Sequence, residues 1–123
     1  VIFVALFGAA FHVAAEDGAT RESIIKSRLK LQIGESHKLA SMADRLASMG
    51  TIKSMNQREL ESLQKQIKTD MDKTIKVLEA AKDLREKDKT IDDQSKVLEN
   101  IHKQAAKSYA SVTKLLEARA GKK

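Results

Sequence analysis

The chain contains no cysteine, no proline and no tryptophan, and only five glycines in 123 residues. Without a thiol there is no disulfide, thiolate nucleophile, iron–sulfur site or cysteine-based zinc site. Without proline, nothing breaks a helix by removing a backbone donor. Aromatics make up 3% of residues; Phe3, Phe7 and Phe11 all lie near the start, which leaves Tyr109 as the sole aromatic of the remainder. Neither an aromatic-walled pocket nor a platform for stacking bases can be built from such a body.

What the chain has in quantity is charge. Asp, Glu, Lys and Arg account for 33% of residues, a composition shared with long helices and coiled coils. The fold class expected is all-α, in a single domain, because 123 residues leave little room for a second core.

Residues 1–15 (VIFVALFGAAFHVAA) carry no formal charge and are followed at once by Glu16 and Asp17. Val13-Ala14-Ala15 fits the small-residue pattern of a secretory cleavage site, so the segment reads as an export signal cut after Ala15 and the protein as secreted or extracytoplasmic. Three other readings compete. As a helix the segment would reach about 22 Å, short of a hydrocarbon core of about 30 Å, but an apolar stretch extended upstream would serve as a membrane anchor. It could equally be a buried helix of the fold, or part of a signal directing the chain to an organelle lumen. Residues 16–123 then form one helical domain.

Ile25, Leu29, Ile33, Leu39, Met42, Leu46 and Met49 recur at three- and four-residue steps, with Ser36 filling a polar place in the series. That is the spacing of one helix face. Thr20 is placed to cap this first helix, with Glu22 in its first turn. Gly34 falls inside it, as a tolerated glycine or a point of close helix contact. Gly50 follows as a left-handed cap, and Ser54-Met55-Asn56-Gln57 matches a capping box. The first helix is therefore expected over about 20–49 and the second over about 54–86, with Leu60, Leu63, Ile67, Met71, Ile75 and Leu78 on its apolar stripe.

Residues 85–90 (REKDKT) have no apolar side chain, and Thr90 followed by Asp92 and Asp93 makes an N-cap with an acidic first turn. A turn near 87–90 and a third helix over about 90–119 follow. Leu84, Ile91, Leu98, Ala105 and Val112 recur every seven residues, with Ile101 and Leu115 three beyond their neighbours, forming a heptad seam for helix packing. Met71 and Leu78 stand one position off that frame, a second sign of the break. The expected architecture is an antiparallel three-helix bundle or coiled coil; the alternative is a first helix packed on one very long continuous helix. In length and layout the three helices resemble a spectrin-type repeat, without the core tryptophan that such repeats usually carry.

Glu99-Asn100-Ile101-His102 has the Glu-x-x-His spacing of di-iron bundles, which need two copies and two further carboxylates. Only one copy is present. Glu99 is expected to pair with Lys103, and His102 and His37 to be surface residues. No Gly-rich phosphate loop, zinc-ligand spacing or held Ser–His–Asp set occurs. The sequence thus predicts no catalytic, cofactor or metal site, and a protein that is not an enzyme.

The net charge of +6 is concentrated toward the end of the chain. Lys89, Lys96, Lys103, Lys107 and Lys114 fall within about 40° of one another on a helical wheel, opposite the seam. With Arg119, Lys122 and Lys123 they form a candidate face for an anionic membrane surface or a sulfated glycan; nucleic acid ranks last, because no arginine cluster or stacking aromatics accompany the lysines. The plainer reading is a solvated face with cations near a helix C-terminus. Elsewhere Glu61/Lys65, Asp72/Lys76, Asp83/Lys87, Asp92/Lys96 and Glu99/Lys103 are acid-first pairs at helical spacing, worth about 0.2–0.5 kcal/mol each. The function expected is that of a non-enzymatic exported structural or interaction protein acting through helix–helix packing, with a protein partner or by self-association. The alternative is amphipathic-helix binding to a lipid or other anionic surface.

Overall fold

The computed structural model describes residues 20–121. The apolar segment 1–15 with its expected cleavage site, and Lys122 and Lys123, lie outside the described residues. Among the described residues there is no strand: the elements are α1 (Arg21–Ser48), the single turn α2 (Thr51–Ser54), α3 (Gln57–Ala81), a 3-10 turn at Lys82–Leu84, and α4 (Lys89–Gly121).

Local chemistry sets these boundaries, in two places at residues other than those expected. Thr20 does cap α1, its hydroxyl accepting from the Ser23 amide at 3.1 Å. Gly50 takes the left-handed conformation (φ 74°) that closes the helix. Gly34 is a tolerated glycine, since a side chain there would meet nothing within 4 Å. The capping box, however, belongs to Asn56 and Glu59. The Asn56 side chain accepts from the Glu59 amide at 2.8 Å, and Glu59 accepts from the Asn56 amide at 2.9 Å. Ser54 instead ends α2, a turn inserted ahead of the box so that Ile52 is buried. At the second boundary Asp88, not Thr90, caps α4, because its carboxylate accepts from the amides of both Thr90 and Ile91 (2.9 and 3.2 Å). The break therefore spans residues 82–88, earlier than 87–90, and the single long helix does not form.

The order of the cross-helix bonds gives the topology. Arg21 reaches Asp83, Gln32 reaches Thr74 and Ser36 reaches Asp70, so α1 and α3 are antiparallel. Gln64 bonds Thr113 and Arg85 bonds Asp92, so α3 and α4 are antiparallel as well. The result is an up-down-up three-helix bundle.

Its core follows a seven-residue repeat on every helix. On α3 the buried positions are Leu60, Ile67, Thr74 and Ala81, interleaved with Leu63, Asp70 and Val77. The second series runs on through the break into Leu84, Ile91, Leu98, Ala105 and Val112, all buried, while Ile101 and Leu115 are only partly buried. On α1 Leu29, Ser36 and Ala43 repeat in the same way. The stripe expected on the second helix is correct for Leu60, Leu63 and Ile67 and then leaves the core: Met71 and Leu78 flank it and Ile75 is 44% exposed. A 3.5-residue period keeps the seam facing its partners, whereas a straight 3.6-residue stripe drifts off it.

Polar side chains occupy the middle of the seam. Gln32 and Ser36 of α1 meet Asp70 and Thr74 of α3, all buried. The Gln32 amide lies 2.9 Å from the Asp70 carboxylate and 3.1 Å from the Thr74 hydroxyl. The Ser36 hydroxyl stands 2.8 and 3.0 Å from the two Asp70 oxygens. This layer separates two apolar clusters, one around Ile25, Leu29, Leu84, Ile91 and Leu98, the other around Ile52, Leu60, Leu63, Ile67 and Val112. Mutual hydrogen bonding offsets the desolvation that each group would otherwise suffer.

Candidate functional site

The lysines expected on one face of the third helix are on one face of α4. Lys89, Lys96, Lys103, Lys107 and Lys114 are all exposed, while Ile91, Leu98, Ala105 and Val112 of the same helix are buried. Lys96 is engaged by Asp92 at 3.1 Å. Arg119 does not join the face: its guanidinium donates to the Lys53 carbonyl at 2.9 Å, tying the end of α4 to α2.

Beside the lysines an open groove of about 580 Å³ is lined by Leu78, Lys96, Glu99, Asn100, His102 and Lys103. It brings Glu99 and His102 together, yet Glu99 is committed elsewhere. Arg85 grips both of its oxygens, at 3.0 and 3.3 Å, so the expected Glu99/Lys103 pair is replaced by a bidentate one that geometry favours. Asp72 likewise takes Lys68 and Asp83 takes Arg21, while Asp92/Lys96 forms as expected. No group of three or more acidic or histidine side chains that could hold a metal ion occurs among the described residues.

Arg85 belongs to an ion-pair clasp where α1 begins and α3 turns into α4. Arg21 meets Asp83 at 2.9 Å, Lys26 meets Asp88 at 2.9 Å, and Arg85 meets Asp92 at 2.8 Å. Hydrogen bonds from Arg21, Lys26 and Arg85 hold the carboxyls of Asp83, Asp88 and Asp92, respectively, below the usual carboxylate range. Their contribution is complete above the ordinary carboxylate pKa of about 4 and is lost as pH falls through the depressed folded values. The melting midpoint should therefore drop between about pH 6 and pH 3, and Arg85→Met should shrink that drop. An Arg85→Met chain with the full acid sensitivity would place its origin outside the Arg85 pairs.

Sequence reasoning assigned Met42 and Met49 to the core, but the structure turns them outward, 39% and 70% exposed, with Leu31 at 68%. The inward positions of α1 are taken instead by Gln32, Ala40 and Ala43. Past Ile25 and Leu29, small and polar residues thus fill the core face of α1 while Leu31, Met42 and Met49 stand outside, the reverse of what hydropathy implies. The available signal was Leu31, which fits no inward series. No helix among the described residues is long and apolar enough to cross a membrane. No protein-family model, curated protein or solved structure matches this chain.

Proposed function

We propose that this protein is a non-enzymatic, exported helical module that works by packing helices against a protein partner or a second copy of itself. The observation that carries the reading is the outer side of α1, where Leu31, Met42 and Met49 are exposed on a helix whose other side is already in the core. Scattered exposed apolar residues are ordinary, but an aligned set on one helix is the anatomy of an interface. Export rests on residues 1–15, and N-terminal sequencing of the protein from its source should begin at Glu16; a start upstream of that position would remove the signal reading.

Association is testable by concentration. A chain that pairs with itself gains stability by mass action, so its melting midpoint should rise between about 1 and 100 µM, in step with the mass seen in sedimentation equilibrium. A monomer with a concentration-independent midpoint removes the self-association arm.

A second reading is supported by the α4 lysines. Five exposed cations on one face attract an anionic membrane surface or glycan, each lysine near a charged bilayer contributing about 1 kcal/mol. Flotation with anionic vesicles should then fall steeply with added salt and with joint Lys103→Gln, Lys107→Gln and Lys114→Gln replacement. Absence of flotation at low salt removes this reading.

A further inference from the structure

Charge is divided unevenly between the outer sides of α3 and α4. On α3, beside the Gln64 that bonds Thr113 of α4, the exposed Glu61, Lys65, Lys68, Asp72, Lys76 and Glu79 fall within about 80° of one another on the helical wheel. Acids and lysines balance there, and Lys68 meets Asp72 at 3.3 Å. On α4 the exposed lysines form a row about 38 Å long from Lys89 to Lys114, and residues 100–116 contain no acid. Asp92 and Glu99, the acids of α4 nearest the row, are both held by Arg85. Asp92 still reaches Lys96 at 3.1 Å, but Lys89, Lys103, Lys107 and Lys114 make no ion pair among the described residues. Arg85 thus takes up carboxylates that would otherwise neutralise the row.

The shape of this positive strip selects its partner. An anionic bilayer is a plane, which would lie against the neutral strip of α3 as well as on α4. Helices that lie on a bilayer also set large apolar side chains beside their lysines, whereas the exposed α4 residues flanking the row include Asp93, Asn100, Ala110 and Ser111. A nucleic acid strand carries a phosphate about every 3.4 Å, while the lysines stand about 6–11 Å apart, with neither an arginine cluster nor an aromatic side chain to take the bases. A single unbranched chain of sugars, bearing sulfates at intervals, matches a row that is long, narrow and sparsely charged. We propose that the lysine row of α4 is the track for one linear sulfated glycan, and that Arg85 keeps the track positive. The groove of about 580 Å³ midway along it, where Lys96, Asn100 and Lys103 stand around Leu78, gives one sulfate a recess with three donor side chains. The proposal rests on the second reading above and commits it to one partner.

Fluorescence anisotropy of the full chain with end-labelled heparin fragments tests the assignment. Affinity should rise with fragment length until a fragment spans the row and then level off, and desulfated heparin should not compete. The four unpaired lysines release counterions on binding, so the logarithm of the affinity should fall with the logarithm of salt at a slope of about −3. Joint Lys103→Gln, Lys107→Gln and Lys114→Gln replacement should weaken binding about tenfold or more. Joint Lys65→Gln, Lys68→Gln and Lys76→Gln replacement removes the same charge from α3 and should change it about twofold or less. Arg85→Met should weaken it about two- to threefold by returning Glu99 to Lys103, and adding Glu99→Gln should reverse that loss. Far-UV circular dichroism at the assay temperature confines the comparison to folded chains. Equal losses from the two threefold replacements overturn the track, since net charge is then responsible, and an Arg85→Met chain that binds unchanged overturns the part given to Arg85. Tighter binding to single-stranded DNA than to heparin gives the row to nucleic acid and overturns the glycan. Flotation with anionic vesicles but no heparin binding also overturns the glycan while leaving the second reading standing; neither binding removes both.

Discussion

Leu98→Ala is expected to lower the unfolding free energy by about 2–5 kcal/mol, while Ile75→Ala lowers it by about 1 kcal/mol or less. Both are large aliphatic residues at helical positions that hydropathy favours about equally. Leu98 is fully buried and packs in the cluster with Ile25, Leu29, Ala81 and Ile91. Removing its side chain forfeits the transfer term and leaves a cavity that three rigid helices close only in part. Ile75 is 44% exposed, one position beyond buried Thr74, so its loss opens no enclosed space. Urea unfolding of the two variants measures the difference directly. Similar losses would mean that the seam on α3 does not follow the seven-residue repeat.

The second large effect concerns a sign. Asp70→Ala should destabilise by about 1–3 kcal/mol, because the Ser36 hydroxyl and Gln32 amide lose a charged acceptor inside the bundle. Replacing the whole layer together, Gln32→Leu, Ser36→Ala, Asp70→Leu and Thr74→Val, should instead be neutral or stabilising by up to about 4 kcal/mol. The single change takes the carboxylate acceptor from two buried donors and leaves them the Thr74 hydroxyl and each other, and the joint change removes both sides of every bond along with the buried carboxylate. If the fourfold variant loses as much as Asp70→Ala, the layer contributes net stability and its apolar substitute packs badly.

These four residues also explain where sequence was a good guide and where it failed. The heptad Leu84, Ile91, Leu98, Ala105, Val112 was legible because each member is apolar. The same frame extends back through Val77 to Asp70 and Leu63, but a carboxylate in the series hides it, and the neighbouring Met71, Ile75 and Leu78 offer a more hydrophobic decoy. On α1 the pair Gln32 and Ser36 has the same effect: Ser36 could be placed only as a gap between apolar neighbours, and Gln32 gave no sign of being inside. Periodicity measures greasiness, whereas burial here follows mutual satisfaction between helices distant in sequence, which a one-dimensional pattern does not contain. The caps were misplaced for a related reason. Ser54 with Gln57 and Asn56 with Glu59 satisfy the same local rule, and only the packing of Ile52 decides between them. The lysine face of α4 was legible because exposure follows directly from standing opposite a strong seam; Arg119 was not, because its acceptor is a backbone carbonyl 66 positions away.

The two ends of the bundle are closed by different forces. At the end where α1 begins, Arg21, Lys26 and Arg85 hold Asp83, Asp88 and Asp92. At the other end Ile52, Met55, Leu60 and Leu46 gather under the short turn α2. Salt screens the ion pairs of the first end and leaves the second almost untouched, whereas cooling weakens apolar contact in the clusters behind both. The two ends of this rod therefore answer differently to their surroundings: concentrated salt loosens the α3–α4 turn alone, whereas cold acts on both.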